Sequence, residues 1–137
     1  MISKLSHSTF FVTSQEKAYD FYVNKLGFRV NTDFKMEDGT RWLTVNPTDQ
    51  PDLQIVLAEP TAPMVEVDLI PHLKALLAKN SLGGGVWETS NCRETFEQLK
   101  SKGVVFTKEP TDEFYGTEAL FLDGCGNWFS LTERKSQ

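Results

Sequence analysis

Hydrophobic and polar positions follow two periods along the chain, the two-residue period of strands and the 3.6-residue period of helices. Alternation predicts a first strand over 5–12. A helix should follow, with Thr13 as N-cap, Glu16 three residues later as in a capping box, and Gly27 as its C-terminal stop. Further strands are predicted over 28–36, 40–46 and 52–57, the first two joined by an Asp38-Gly39 hairpin turn.

The second half of the chain repeats this order of elements. A strand over 84–89 precedes a helix that begins at Asn91, with Glu94 at capping-box spacing, and ends at Gly103. Superposing Gly27 on Gly103 also places Ser14 on Ser90. The returning strands are predicted over 104–107, 116–122 and 127–131. An internal repeat of this kind predicts one domain over 1–137, built from two βαβββ modules, 1–59 and 83–134.

The linker between the modules, 60–82, contains a further predicted helix over 67–79. Pro71 falls in its first turn, where a proline is tolerated. Its apolar side should carry Leu69, Ile70, Leu73, Leu76 and Leu77. The helix is either a connector packed on the sheet or a lid over a pocket, and we favour the connector.

Composition narrows the class of protein. The 137 residues carry a net charge of -5, and no run of Lys and Arg suggests binding to nucleic acid. No apolar stretch approaches the roughly 20 residues of a membrane span. The N-terminus lacks the pattern of a signal peptide, and Cys92 and Cys125 form no regular disulfide framework. We therefore expect a cytoplasmic protein without nucleic-acid or membrane partners.

Two segments, KAYDFYVNKLGF over 17–28 and FLDGCGNWFSL over 121–131, resemble the vicinal oxygen chelate superfamily. This superfamily includes glyoxalase I, extradiol dioxygenases, fosfomycin-resistance enzymes and bleomycin-binding proteins. The resemblance implies an α+β fold in which two tandem βαβββ modules form curved mixed sheets around a cup. It also implies a homodimer that builds each cup from both chains. The reaction is left open, because the superfamily spans many chemistries.

Strand alternation indicates which side chains face that cup. Phe10 and Val12 should pack on the helices. The cup face of the first strand should then carry Leu5, His7, Thr9 and Phe11. In the last strand the cup face should carry Trp128, Ser130 and Thr132, with Trp128 and Phe11 as apolar walls.

The resemblance also locates the four positions that ligate a metal in metal-dependent relatives. Here they are His7, Gln54, Gly84 and Ser130. A catalytic divalent site usually has three protein ligands, and two neutral ones hold a metal poorly. We therefore expect no metal cofactor, with His7 and Gln54 as remnants of the site. Either Glu88 or Glu118 would be needed to supply a missing carboxylate.

Several candidate residues have two interpretations. His7 is either a partly buried imidazole satisfied by a neighbour or a ligand-contacting or acid–base residue. Arg41 either forms a salt bridge or holds a ligand carboxylate or phosphate as a bidentate fork. Glu88 is either paired, with Arg41 as a candidate partner, or a general base whose pKa is raised in an apolar cup.

Three functions follow from these readings. The favoured one is binding of a small aromatic or amphipathic molecule without metal, contacted by His7, Thr9, Phe11, Arg41, Gln54, Glu88, Trp128 and Ser130. The alternative is a metal-dependent lyase, isomerase or dioxygenase, in which a metal chelates two substrate oxygens. The third is a metal-free enzyme with Glu88 or His7 as the catalytic base.

Overall fold

A computed structural model describes residues 1–136 and shows the predicted order of elements. The eight strands are β1 His7–Phe11, β2 Arg29–Lys35, β3 Arg41–Asn46, β4 Gln54–Ala58, β5 Leu82–Glu88, β6 Val105–Glu113, β7 Gly116–Leu122 and β8 Asn127–Arg134. The helices are α1 Gln15–Tyr19, which continues as a π-helical segment over Asp20–Lys25, α2 Ile70–Ala78 after a 3₁₀ turn Val67–Leu69, and α3 Cys92–Ser101.

The strands form two four-stranded mixed sheets with the same topology. The first has the order β1-β4-β3-β2 and the second the order β5-β8-β7-β6. In each sheet the outer pair, β1 with β4 and β5 with β8, is parallel, and the remaining pairs are antiparallel. The tandem βαβββ repeat and the α+β fold class predicted from the sequence are therefore confirmed.

The helix caps agree with the sequence at one helix and differ by one residue at the other. Asn91 caps α3 as predicted, and its side chain accepts a hydrogen bond from the Glu94 N–H at 3.0 Å. The cap of α1 is Ser14, which accepts from the Lys17 N–H, so the prediction of Thr13 was wrong. A serine can cap a helix as well as a threonine, so residue type alone did not distinguish the two positions.

One aromatic core joins the two modules. Phe10 of β1 lies 6.2 Å from Trp87 of β5 and 5.4 Å from Phe129 of β8, measured between ring centroids. Tyr22, from the helical segment after α1, packs against both Phe10 and Phe129. Phe10 thus faces the helices, and Val12 is fully buried, as the alternation predicted.

A buried carboxylate fixes the turn before β8. Asp123 accepts hydrogen bonds from the backbone N–H groups of Cys125 and Asn127, from the Asn127 side chain, and from the hydroxyl of Tyr22. The Asn127 side chain also donates to the backbone carbonyl of Phe11. The turn therefore holds the end of β1 and the start of β8 together.

The linker helix is less buried than its sequence suggests. Leu77 is buried and packs on Gly126, where an added Cβ would meet the Leu77 side chain. Leu69 and Leu76, predicted on the same apolar side, are half exposed. None of the helices within residues 1–136 is long and apolar enough to cross a membrane.

Candidate functional site

The first candidate surface is one face of the first sheet, which we call the first half-cup. It carries His7, Thr9 and Phe11, because Phe10 on the alternate face of the strand packs against the core. His7 is paired in register with Gln54 on β4, so the two remnants of the metal-ligand pattern are neighbours. Gln54 accepts a hydrogen bond from the Thr44 hydroxyl at 3.2 Å.

His7 is exposed rather than partly buried, and its Nδ1 lies 2.9 Å from the Ser6 hydroxyl. The expectation of a partly buried imidazole is therefore wrong for the single chain, although the Ser6 hydroxyl is a neighbour that can satisfy the ring nitrogen. Its ring faces solvent on the first half-cup, where a ligand or a partner can reach it.

The second candidate surface is the corresponding face of the second sheet, which we call the second half-cup. It carries Trp128, Ser130 and Thr132, whereas Phe129 and Leu131 lie in the core. Trp128 is 42% exposed. Its indole lies against Gly83, where an added Cβ would be 2.9 Å from the ring. The absence of a side chain at Gly83 therefore gives the indole its place on the sheet.

A bulge in β5 changes the predicted face of Gly84. Gly83 pairs with Trp128 and Gly85 pairs with Phe129, so Gly84 is the extra residue. An added Cβ at Gly84 would meet the ring of Phe129 in the core. The sequence prediction that Gly84 faces the cup was wrong, because a strict alternation does not include the extra residue.

Glu118 is the centre of a polar network on the second half-cup. One carboxylate oxygen accepts from Tyr115 at 2.6 Å and from Lys108 at 3.0 Å, and the other accepts from Ser130 at 2.7 Å. Burial raises the pKa of Glu118, but the hydrogen bonds from these three donors together lower it below its ordinary value. Lys108 also donates to Glu113, and these two hydrogen bonds raise its pKa.

These side chains do not fit a catalytic divalent metal. Ser130 and a glycine occupy two of the four ligand positions, and the Glu118 carboxylate already accepts three hydrogen bonds. Within the part of the chain that the structure describes, no group of three or more His, Cys, Asp or Glu side chains could hold a metal ion. The expectation of a metal-free protein remains a prediction, supported by this donor set.

Arg41 lies apart from both half-cups. Its guanidinium forms a fork with Asp33, with Nε and Nη2 donating to the two carboxylate oxygens at 2.8 and 2.9 Å. It also lies over the Tyr19 ring near α1, on the side of the sheet that carries Leu43 and Val45. The structure supports the salt-bridge interpretation of Arg41 and does not bring this residue to the other candidate ligand-binding side chains.

Glu88 lies at the exposed edge of the second half-cup. Its nearest basic partner is Arg134, at 3.5 Å, so the suggested pairing with Arg41 is not found. The carboxylate is exposed and faces a cation, so it does not lie in the apolar surroundings that the general-base interpretation requires.

A cavity of about 1050 Å³ lies between the edge strands β1 and β5. Of the predicted ligand-binding residues, Glu88 is the one that lines it. The other predicted ligand-binding residues do not line this cavity in the single chain.

Sequence reasoning missed the partners of Glu118. Lys108 and Tyr115 come from β6 and from the turn after it, and Thr132 was placed on the cup face without a role. The alternation along β7 could have indicated that Glu118 lies on the cup face, because Ala119 and Phe121 lie on the buried face of the same strand. The register that brings Lys108 to Glu118 depends on irregularities in β6 that no motif indicates.

Comparison with known proteins gives consistent results. The family described as Glyoxalase/Bleomycin resistance protein/Dioxygenase superfamily matches residues 4–131. The crystal structure of UcmS2 is 42% identical, with a TM-score of 0.88 over 97% of this chain and 99% of that chain. TnmS3, described as an antibiotic binding protein from Streptomyces sp. CB03234, is 29% identical, with a TM-score of 0.76 over 98% of each chain. The uncharacterized protein YurT of Bacillus subtilis (strain 168) is 30% identical over 132 residues, 96% of this chain and 99% of YurT.

Proposed function

The chain belongs to the Glyoxalase/Bleomycin resistance protein/Dioxygenase superfamily, and from this premise we propose that it binds a small aromatic or amphipathic molecule in a cup, without a metal. TnmS3, similar over nearly the whole chain, is an antibiotic binding protein, and this precedent supports binding rather than turnover. The donor set around Ser130 and Gln54 supports a metal-free site, because it lacks an available carboxylate.

The observation that carries the proposal is the exposure of Trp128 on the second half-cup. Trp128 is 42% exposed, and Val86, which pairs with Ser130 and so lies on the same face, is 68% exposed. Large apolar side chains grouped on one surface often mark a ligand or partner site. An aromatic ligand stacked on Trp128 would gain about 0.5–1.5 kcal/mol beyond the burial of its area.

We further propose that two copies complete the cup, with the first half-cup of one chain facing the second half-cup of its partner. His7, Thr9 and Trp128 are exposed in the single chain, which supports an arrangement that covers them. Sedimentation should then give twice the 15.5 kDa of one chain. A stable monomer that still binds ligand would contradict this arrangement.

We also propose a cytoplasmic location. Cys92 and Cys125 are both free and buried, which suits a reducing compartment.

The binding proposal is tested by a thermal-shift screen of amphipathic aromatic compounds, antibiotics included, with EDTA present. A ligand at 100 times its Kd stabilises a protein by about 2.7 kcal/mol, which corresponds to roughly 5–10 °C for a domain of this size. The Trp128→Ala variant should lose most of this shift. Leu76→Ala is the matched control, because Leu76 is a large apolar residue of similar exposure, 48%, and lies on α2 outside both half-cups. Equal losses in both variants, or no shift from any compound, would contradict the proposal.

A further inference from the structure

The hydrogen-bond directions in the second half-cup follow from the Glu118 carboxylate. An ionised carboxylate only accepts hydrogen bonds. Ser130, whose Oγ lies 2.7 Å from Glu118 Oε2, therefore donates its single hydroxyl proton to that oxygen. Tyr115 and Lys108 donate to the other oxygen. Glu118 thus fixes the orientation of every hydroxyl group that touches it.

The same argument extends to Thr132. Its hydroxyl lies 2.7 Å from the Ser130 Oγ, and geometry alone allows either atom to donate. Because the Ser130 proton is already committed to Glu118, Thr132 must be the donor of this second bond. The chain of donation therefore runs from Thr132 to Ser130 to Glu118. Both hydroxyls retain lone pairs and have no proton left to offer to a ligand.

Cations near this surface are also engaged. Lys108 Nζ lies 2.9 Å from Glu113 and 3.0 Å from Glu118, so its charge is balanced by two carboxylates. Arg134, at the far end of the surface, is paired with Glu88 at 3.5 Å. A carboxylate or phosphate on the ligand would meet hydrogen-bond acceptors and no unpaired cation at the Ser130–Thr132 pair.

The acceptor pair lies at a defined distance from the aromatic platform. Trp128, Ser130 and Thr132 are alternate residues of β8, and a strand rises about 3.3–3.4 Å per residue. Ser130 therefore lies about 7 Å along the strand from Trp128, close to the length of two fused aromatic rings. Leu122 pairs with Trp128 and Leu120 with Ser130, which makes the surface between them apolar.

We propose that Ser130 and Thr132 form an acceptor-only subsite that selects ligands in which a hydroxyl or amino donor lies at the far end of a two-ring system whose other ring stacks on Trp128. The inference rests on the proposed binding function and specifies the class of ligand. Ser130 and Thr132 are 4% and 7% exposed. A small donor group can reach them at the floor of the half-cup, whereas a methylated oxygen brings added bulk and no proton.

The test compares two probes of nearly equal shape, 2-naphthol and 2-methoxynaphthalene, by titration calorimetry with EDTA present. Methylation removes the donor and makes the probe more apolar, so burial alone would favour the methoxy compound. The proposal predicts that the wild-type protein binds 2-naphthol about tenfold more tightly, the size expected for one buried hydrogen bond.

Two variants locate the preference and one controls for the substitution itself. Thr132→Val and Ser130→Ala should each bring the affinity ratio of the two probes close to one while keeping the affinity for 2-methoxynaphthalene. Thr117→Val is the matched control, because Thr117 lies on β7 with its side chain on the opposite face, bonded to Asp112. It should keep the tenfold ratio.

The outcomes separate this inference from the proposed function. Equal binding of both probes by the wild-type protein would overturn the donor subsite and leave the binding function standing. A tenfold ratio that persists in both Ser130→Ala and Thr132→Val would also overturn it, because the selectivity would then arise elsewhere. Failure of either probe to bind would overturn the inference, and failure of every aromatic compound in the screen would overturn the function as well.

Discussion

The buried turn at Asp123 offers the most quantitative test of the fold that supports the site. Asp123 is 1% exposed and accepts four hydrogen bonds. In Asp123→Asn, the amide oxygen can still accept from the Cys125 and Asn127 N–H groups. The new NH₂ group then faces the Asn127 NH₂ at 2.9 Å, which cannot accept, and the Tyr22 hydroxyl at 2.6 Å, which loses its own acceptor.

The expected cost follows from these four bonds. Bonds to a charged group contribute about 1.5–3 kcal/mol each and neutral ones about 0.5–1.5, and a buried donor left unpaired costs a further 1–3. We expect Asp123→Asn to lower the free energy of unfolding by about 3–5 kcal/mol. With a urea m-value of about 1–3 kcal/mol/M, the midpoint should fall by at least 1 M.

The control for this prediction is Asp38→Asn. Asp38 accepts from the Thr40 N–H and hydroxyl in an exposed turn, so its replacement should cost about 0.5 kcal/mol or less. Equal shifts of the urea midpoint in the two variants would refute the reasoning. Because β8 begins at Asn127, next to Trp128, Asp123→Asn should also weaken aromatic binding.

Further predictions concern the core. Burial, the charge of Asp123 and its hydrogen bond raise the pKa of Tyr22 well above 10, so the protonated form is favoured in the folded state. The stability that Tyr22 contributes is therefore full below pH 10 and is lost as the pH rises towards its folded pKa. When urea unfolding is followed from pH 8 to 11, the free energy of unfolding should decline less for Tyr22→Phe than for the wild type. Burial, followed by the charge of Asp123, raises the pKa of Cys125 to about 12, so a thiol reagent at pH 8 should label the protein only after unfolding, and rapid labelling of the native chain would contradict this burial. Gly84→Ala should cost about 1–3 kcal/mol in urea unfolding, because its Cβ meets the Phe129 ring; an unchanged midpoint would show that the core can adjust.

The sequence predicted the fold well because the modules repeat and strongly periodic segments need little further information. The predicted bounds of β7 match those observed, and the turn glycine Gly27 has the positive φ expected of a helix stop. The strand predicted over 104–107 was too short, since β6 extends to Glu113. Pro110 suggested an end to the strand, but an edge strand tolerates proline.

The prediction of the first helix was also only partly correct. The helical spacing predicted one helix up to Leu26, whereas the α-helix ends at Tyr19 and continues as a π-helical segment, Asp20–Lys25. The hydrogen bonds of the two forms span four and five residues, respectively, and over six residues the pattern of apolar positions does not separate them.

The site was only partly predictable. Alternation placed His7, Thr9 and Trp128 on open faces, because a period of two depends on local backbone alone. It misplaced Gly84 at a bulge and left Arg41 with two interpretations, since a partner eight residues away cannot be identified from spacing. The Glu118 network joins side chains across β6, β7 and β8, and its existence depends on register that only the folded sheet defines.

The central claim is that the cup binds an aromatic or amphipathic molecule without metal. The most direct test is a calorimetric titration of chelator-treated protein with 2-naphthol, in EDTA and again after adding Ni²⁺, Zn²⁺ or Mn²⁺. The account predicts saturable binding in EDTA, one molecule per chain, with the same affinity after metal is added and much weaker binding by Trp128→Ala. Binding that appears only with metal, or that is unaffected by Trp128→Ala, would contradict it.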